Sequence, residues 1–102
     1  MTDRITPQAA LKKLAAAGGQ RWVTIFKHGA IELEYYAPKD TDPQQPHTRD
    51  EVYFVISGRG TFERDGKVQE FGPGEVIHCP AGMPHRFLKF SDDFATWAIF
   101  SG

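Results

Sequence analysis

Cysteine is nearly missing from this sequence: Cys79 is the single one among 102 residues. One cysteine excludes an intrachain disulfide framework. Long hydrophobic runs are missing too, and none approaches the roughly 20 residues that a membrane-spanning helix needs. The first residues contain no apolar signal core. We therefore expect a cytoplasmic protein that has no membrane partner.

An excess of charge of one sign is also absent. The chain has 12 basic and 13 acidic residues, which are intermixed and give a net charge of -1. Nucleic-acid binding depends on clustered Lys and Arg side chains that neutralise phosphates, so we expect no nucleic-acid partner. A length of 102 residues predicts one domain that spans residues 1–102. Aromatic residues, at 13%, favour β-structure and a pocket with bulky walls.

The first regular element predicted by the sequence is a helix at about residues 7–17. Thr6 is a good N-cap, Pro7 fits the first helical position, and Gly18 with Gly19 ends the helix. A helix of this length is marginal alone. It must pack against something else, either the outside of a barrel or a partner subunit.

From Trp22 onward the apolar period changes to two, which is typical of β-strands. Residues 31–36 alternate apolar and acidic side chains, and this pattern indicates a strand with one wet face. About eight short strands separated by turn signals predict an all-β sandwich or barrel at about residues 21–101. The predicted strands are 22–26, 31–36, 51–56, 61–64, 67–71, 75–79, 85–90 and 94–100.

Three side chains form the most informative chemical pattern: His47, Glu51 and His85. Two imidazoles and one carboxylate suit Fe(II), and Mn, Ni or Zn can also use them. His47 and Glu51 share strand parity, yet four residues of straight strand span roughly 13 Å. They can meet at one ion only if the backbone bends, and the polar residues 48–50 are the place for that bend.

Two residues with the same parity extend this predicted site. The amide oxygen of Gln45 is a candidate fourth ligand, and it could instead hold a metal-bound water or simply line the mouth. Tyr53 follows Glu51 on the same face. Its hydroxyl is a candidate catalytic donor to a bound ligand, with packing in the core as the alternative.

Other reactive residue types have mainly structural interpretations. His28 in a turn and His78 on a strand are interpreted as locally satisfied, with a pocket position as the alternative. His78 is also a candidate general base, as are Tyr53 and a metal-bound hydroxide. We interpret Cys79 as a small buried hydrophobe. Arg49 is interpreted as a surface charge, or as the partner of an anionic ligand near the mouth.

The spacing of these residues resembles the two sequence motifs of the cupin superfamily. The matching positions are His47, Glu51, Gly58, Gly74, Pro80, Gly82 and His85. Two positions depart from the family pattern: Gln45 stands where the first metal-binding His is expected, and Lys89 stands where Asn is expected. No Gly stands at the start of the first motif.

The resemblance implies a double-stranded β-helix, or jelly-roll barrel, with one short N-terminal helix here. It also implies a divalent transition metal (Fe, Mn, Ni or Zn) on three His and one Glu, of which this chain keeps two His and the Glu. Three functions follow as expectations: a metal-dependent dioxygenase or isomerase/lyase acting on a small oxygen-rich molecule, a non-catalytic binding or sensing module, and a structural jelly roll with an idle site. Small cupins resemble one another in pairing through a sheet, so we expect a homodimer that uses Phe54 and Ile56.

Overall fold

A computed structural model describes residues 4–43 and 46–102. Within these residues the chain forms one helix and eight strands. Their bounds are α1 Pro7–Ala15, β1 Trp22–His28, β2 Ile31–Tyr36, β3 Asp50–Ser57, β4 Gly60–Arg64, β5 Lys67–Phe71, β6 Val76–Cys79, β7 His85–Phe90 and β8 Ala95–Ser101. The predicted fold class, an all-β jelly-roll barrel with one short helix, is confirmed. No helix among the described residues is both long and apolar enough to cross a bilayer.

The strands form two antiparallel sheets. The larger sheet has the order β1-β2-β8-β3-β6, and the smaller has the order β5-β4-β7. The last strand, β8, lies between β2 and β3, so the chain closes the larger sheet only when its C-terminal residues are in place. This arrangement encloses an interior between the two sheets.

Strand register decides which side chains enter that interior. Glu51 on β3 lies opposite Phe100 of β8 and Cys79 of β6, and the next residue, Val52, lies opposite His78. Because successive side chains of a strand point to opposite faces, Glu51 and Cys79 face inward while His78 faces outward.

Aromatic rings fill one half of the interior. Phe87 on β7 is 1% exposed, and its ring centroid lies 4.6 Å from that of Phe62 and 4.7 Å from that of Phe94. Aromatic pairs at such separations prefer tilted and edge-to-face geometry, which adds to the energy of burial. The buried members of this core are Tyr36, Tyr53, Val55, Phe62, Phe71, Cys79, Phe87, Phe94, Ala98 and Phe100.

The helix α1 packs on the outside of the larger sheet. The side chain of Thr6 accepts a hydrogen bond from the Ala9 N–H at 3.2 Å, as its position at the N-cap predicts. Ala10 and Leu14 are buried in a second apolar cluster with Tyr35 of β2. Of the two partners expected for this helix, the outside of the barrel is therefore the one observed.

Strand β2 inverts the usual arrangement of apolar and polar faces. Glu34 lies opposite Ala98, and Ala98 lies opposite the buried Tyr53, so Glu34 faces the interior. Tyr35 faces outward and is covered by the helix. The sequence correctly predicts that β2 has one polar face, but that face, which carries Glu34, points into the barrel. The helix covers the apolar face of β2, which carries Tyr35.

Two glycines allow the backbone to approach neighbouring strands closely. A Cβ at Gly60 would lie 1.8 Å from the carbonyl oxygen of Lys89, and a Cβ at Gly58 would lie 2.5 Å from Phe94 Cα. Gly58 also has a φ of +90°, a conformation that glycine adopts at low cost. These contacts explain why the turn after β3 needs glycine.

Candidate metal centre

The segment that carries His47 is tied to the turn between β6 and β7. The Gly82 N–H donates to the His47 carbonyl at 2.7 Å, and the Ala81 N–H donates to Asp50 Oδ1 at 2.8 Å. The backbone bends at residues 48 and 49, immediately before β3 begins. This bend agrees with the prediction made from strand length, and it turns the His47 ring back toward Glu51.

His85 is the first residue of β7, and its ring is held by the preceding turn. The Nδ1 atom lies 2.9 Å from the carbonyl oxygen of Met83. Because a carbonyl oxygen can only accept a hydrogen bond, Nδ1 carries the proton and Nε2 faces the cluster. A backbone carbonyl in this position is a common way to orient a metal-binding histidine.

The three side chains meet at one carboxylate oxygen. Glu51 Oε1 lies 3.1 Å from His85 Nε2 and 3.2 Å from His47 Nε2. One candidate ligand atom from each residue lies within 4.8 Å of those from the other two. Two imidazole nitrogens and one carboxylate oxygen form a donor set that suits divalent transition metals. The cluster can therefore hold a metal ion.

Burial raises the free-energy cost of charged side chains in the cluster. The side chains of Glu51 and His85 are each 1% exposed, while that of His47 is 32% exposed. Burial alone would lower the pKa of His85, but hydrogen bonds with Cys79, Glu51 and the Met83 carbonyl raise it to about 10. The metal-free cluster thus holds a proton on His85 that a metal ion would displace.

A cavity of about 290 Å³ connects the cluster to the surface. Its lining residues are Trp22, Glu34, Tyr36, His47, Arg49, Glu51, Ala98 and Phe100. Two of the three candidate ligands, His47 and Glu51, are in this wall. A small molecule that enters the cavity therefore lies next to His47 and Glu51.

Arg49 gives the mouth of this cavity a fixed positive charge. Its Nη1 donates to Glu32 Oε1 at 2.9 Å, and its guanidinium carbon lies 4.7 Å from the centroid of the Phe100 ring. A guanidinium held over an aromatic face gains from the quadrupole of the ring. Arg49 is a partly exposed charge that also lines the cavity, and its pairing with an anionic ligand stays a prediction.

Tyr53 lies beneath the cluster and is completely buried. Burial is the first cause that raises the pKa of its hydroxyl well above the usual range, and the charge of Glu51 and a hydrogen bond with Glu51 add to it. The hydroxyl is therefore a proton donor toward Glu51 at neutral pH. A catalytic role for Tyr53 stays a prediction.

The remaining predicted residues divide between the core and the outside. Gln45, the predicted fourth ligand, lies outside the described residues. Cys79 is buried, as its structural interpretation predicts, but its side chain also hydrogen-bonds with His85 of the cluster. His78 is exposed and faces away from Glu51, which excludes it as a base at the cluster, and His28 is exposed at the end of β1.

Sequence reasoning missed one carboxyl group of the cavity. Glu34 lines the same space as His47 and Glu51. Burial first, and then the negative charges of Glu32 and Glu51, raise the pKa of Glu34 to about 7. The signal was present in the alternation of β2, but its inward direction depends on the helix that covers the other face.

The comparison with protein families agrees with this geometry. A family model described as a cupin domain matches residues 32–99. This match spans more than half of the chain and includes His47, Glu51 and His85. The chain therefore belongs to the cupin superfamily.

Curated relatives include one uncharacterized protein and several enzymes. An uncharacterized protein of Streptomyces coelicolor is 41% identical over 88 residues, which cover 84% of each chain. Acireductone dioxygenase of Bacillus licheniformis is 36% identical over 53% of this chain and 33% of its own. The dimethylsulfoniopropionate lyase DddQ of Ruegeria pomeroyi is 28% identical over 59% of this chain and 30% of its own. The chain thus spans about a third of these two enzymes.

Solved structures share the fold at low sequence identity. A cupin 2 conserved barrel domain protein of Salinispora arenicola superposes with a TM-score of 0.72 at 18% identity, over 100% of this chain and 89% of that one. A cupin superfamily protein of Desulfitobacterium hafniense has a TM-score of 0.71 at 17% identity, over 99% and 93% of the two chains. These neighbours support the barrel architecture.

Proposed function

We propose that this chain is a metal-dependent cupin enzyme that acts on a small oxygen-rich molecule. One observation carries the proposal: three metal-type ligand atoms from His47, Glu51 and His85 lie within 4.8 Å of one another. Burying the imidazole of His85 and the carboxylate of Glu51 is costly unless they are paired or bound to an ion. The cavity beside the cluster leaves room for a ligand to reach that ion.

His47, Glu51 and His85 would hold a divalent transition metal, which would supply a Lewis acid for the oxygens of a bound ligand. Other residues of the chain orient the candidate ligands and shape the cavity beside them. The Met83 carbonyl orients the His85 ring, and the Tyr53 hydroxyl holds Glu51. Trp22 and Phe100 give the cavity an apolar wall, and the guanidinium of Arg49 is a cation at its mouth for a negatively charged group of the ligand. These features suit a bidentate oxygen ligand such as an enediol, a β-diketone or a hydroxy acid.

The enzymes among the relatives support this class of substrate. Acireductone dioxygenase, 5-aminosalicylate 1,2-dioxygenase and dimethylsulfoniopropionate lyase are named for small molecules that contain oxygen. Their similarity covers 53–61% of this chain, so the substrate and the reaction are proposed only at the level of class. Gln45 remains a proposed fourth ligand or the holder of a metal-bound water.

The test combines metal loading with substrate screening. Protein loaded separately with Fe, Mn, Ni or Zn is assayed with enediol, β-diketone and hydroxy-acid substrates. We expect metal-dependent turnover that is lost in His47→Ala and in His85→Ala. His78→Ala is the matched control because that histidine is exposed on the outer face. Turnover retained in both site variants would contradict the proposal.

A non-catalytic binding module is the second candidate. The presence of glutamine at position 45, where the family pattern has a metal-binding histidine, favours it. Calorimetric titration with the same compounds separates the two candidates: binding without turnover by any metal form supports the module. Binding together with turnover supports the enzyme.

We also propose a homodimer that uses the outer face of the larger sheet. Phe54 is 45% exposed and Val76 is 60% exposed, and the two lie opposite each other on β3 and β6. Ile56, expected at this face, packs instead against the cluster under the helix. Sedimentation at micromolar concentration should show a dimer that Phe54→Asp converts to a monomer. A wild-type monomer would contradict this assembly.

A further inference from the structure

The cavity holds a carboxyl group that metal binding does not use. Glu34 faces inward from β2, and its neighbour across the strands is Ala98, which lies opposite Tyr53 on the far side. The small side chain of Ala98 leaves the space between β2 and β3 open. Glu34 therefore borders the same volume as His47 and Glu51.

Two neighbouring carboxyl groups are placed in unlike surroundings. Glu32 accepts hydrogen bonds from Arg49 at 2.9 Å and from Thr24 Oγ1 at 3.3 Å. Burial opposes ionisation of Glu32, but the Arg49 hydrogen bond and the charges of Lys27 and Arg49 outweigh it, so the pKa of Glu32 is lowered. The ionised Glu32 then disfavours a second charge on Glu34. Paired carboxyl groups whose pKa values are driven apart are typical of acid–base sites.

The groups that face Glu34 come from four strands and from the segment that precedes β3. The segment before β3 contributes His47 and Arg49, and β3 contributes Glu51. Strand β1 contributes the uncharged Thr24, which lies opposite Glu34 in the register, and β8 contributes only apolar side chains to the cavity. Glu32 and the Tyr36 hydroxyl on β2 complete this set of neighbours.

We propose that Glu34 is the proton acceptor of this cavity, and that it takes the acidic proton of an oxygen or carbon acid that binds at the metal centre. The inference rests on the proposed function of that centre. In the step, an O–H or C–H bond of the ligand breaks and its electron pair stays on the ligand. The proton forms a bond to a carboxylate oxygen of Glu34, so no oxidant or reductant is needed.

Other groups in the cavity are less suited to accept this proton. The guanidinium of Arg49 is a hydrogen-bond donor with no acceptor atom. His47 and Glu51 are committed to the ion, and Tyr53 is buried with a raised pKa. Glu34 lines the cavity and is not one of the three candidate ligands, so its carboxylate is available as a general base.

The test counts protons released when a probe binds. Protein loaded with Zn²⁺ is titrated with 4-nitrocatechol at pH 8 in two buffers that differ in ionisation heat. In the wild type the carboxylate of Glu34, which lines the cavity, can accept the proton that the probe loses, whereas an amide at this position cannot. Glu34→Gln should release about one more proton per bound probe than the wild type. Glu70→Gln, an exposed change of the same kind on β5, should match the wild type.

The outcomes separate this inference from the proposed function. Equal proton release by the wild type and Glu34→Gln, with equal zinc content and probe binding, would overturn the role of Glu34 alone. No probe binding by zinc-loaded wild type would overturn the proposed function and this inference with it. As a measurement without substitution, the ¹³C carboxyl resonance of Glu34 in the wild type should move to its protonated position when the probe binds at pH 8. A resonance that stays at its ionised position would contradict the inference.

Discussion

The two halves of the barrel interior differ sharply in chemistry. One half contains the cluster of His47, Glu51 and His85 beside an open cavity, and the other is filled by phenylalanine rings. Strand β7 changes from one to the other within two residues, from His85 to Phe87, and both are buried. The same strands therefore build a reactive site and a packed core.

The comparison shows how a small barrel can keep charged groups inside. The tightly packed rings around Phe87 lie 4.6–5.2 Å apart between centroids, so they fix the positions of the strands. In the polar half, local hydrogen bonds then hold the side chains in position, such as the bond from His85 Nδ1 to the Met83 carbonyl. The packed half therefore makes the barrel rigid, and the polar half contains the side chains that can bind a metal.

Breaking the packed half should produce the largest effect on stability. Phe87→Ala removes a ring that is 1% exposed and contacts several other rings. Large-to-small changes of this kind cost about 3–5 kcal/mol. Urea unfolding of the metal-free protein should show this loss. A cost below about 1 kcal/mol would contradict the central role of this ring.

Breaking the polar half should change metal affinity more than fold stability. Glu51→Gln keeps the size of the side chain but removes the charge at the oxygen that both histidines approach. Losing an orienting outer group typically costs 10–100-fold in metal affinity, so losing a ligand should cost more than about 100-fold. Competition with a chelator measures this affinity, with Glu70→Gln as the control. Wild-type affinity in Glu51→Gln would show that the ion is held elsewhere.

Tyr53 lies at the boundary between the two halves, and its substitution should have the smallest effect of the three. Tyr53→Phe keeps the ring in the core but removes the hydroxyl that is hydrogen-bonded to Glu51. We expect a loss of about 10–100-fold in metal affinity, with the unfolding free energy lowered by about 1 kcal/mol. Chelator competition and urea unfolding of the same samples measure both. An unchanged affinity would mean that Tyr53 acts only in packing.

Much of this architecture could be predicted from the sequence because local signals and fold agree. The alternation of strands and the turn residues gave the bounds of β2, β5 and β7 as observed. The metal-type cluster could be predicted because His47, Glu51 and His85 have donor types that suit one ion and stand at the spacing of the cupin motifs. The bend before β3 followed from the length of an extended backbone alone.

The direction of β2 could not be predicted in the same way. Alternation reveals two faces but not which face meets the interior, and here the apolar face is covered by α1. Glu34 was therefore assigned to no site by the sequence, although it lines the cavity. Tertiary packing of the helix, which no local pattern records, decides the position of this carboxyl group.

The most direct test of the central claim is elemental analysis of protein purified without added metal or a chelating tag. His47→Ala is the best comparison because His47 precedes β3 and its side chain is 32% exposed, so its loss should leave the fold intact. We predict about one Fe, Mn, Ni or Zn ion per wild-type chain and a clear loss of that ion in His47→Ala. No metal in the wild type, and none taken up when each ion is added, would contradict the claim that this cluster is a metal centre.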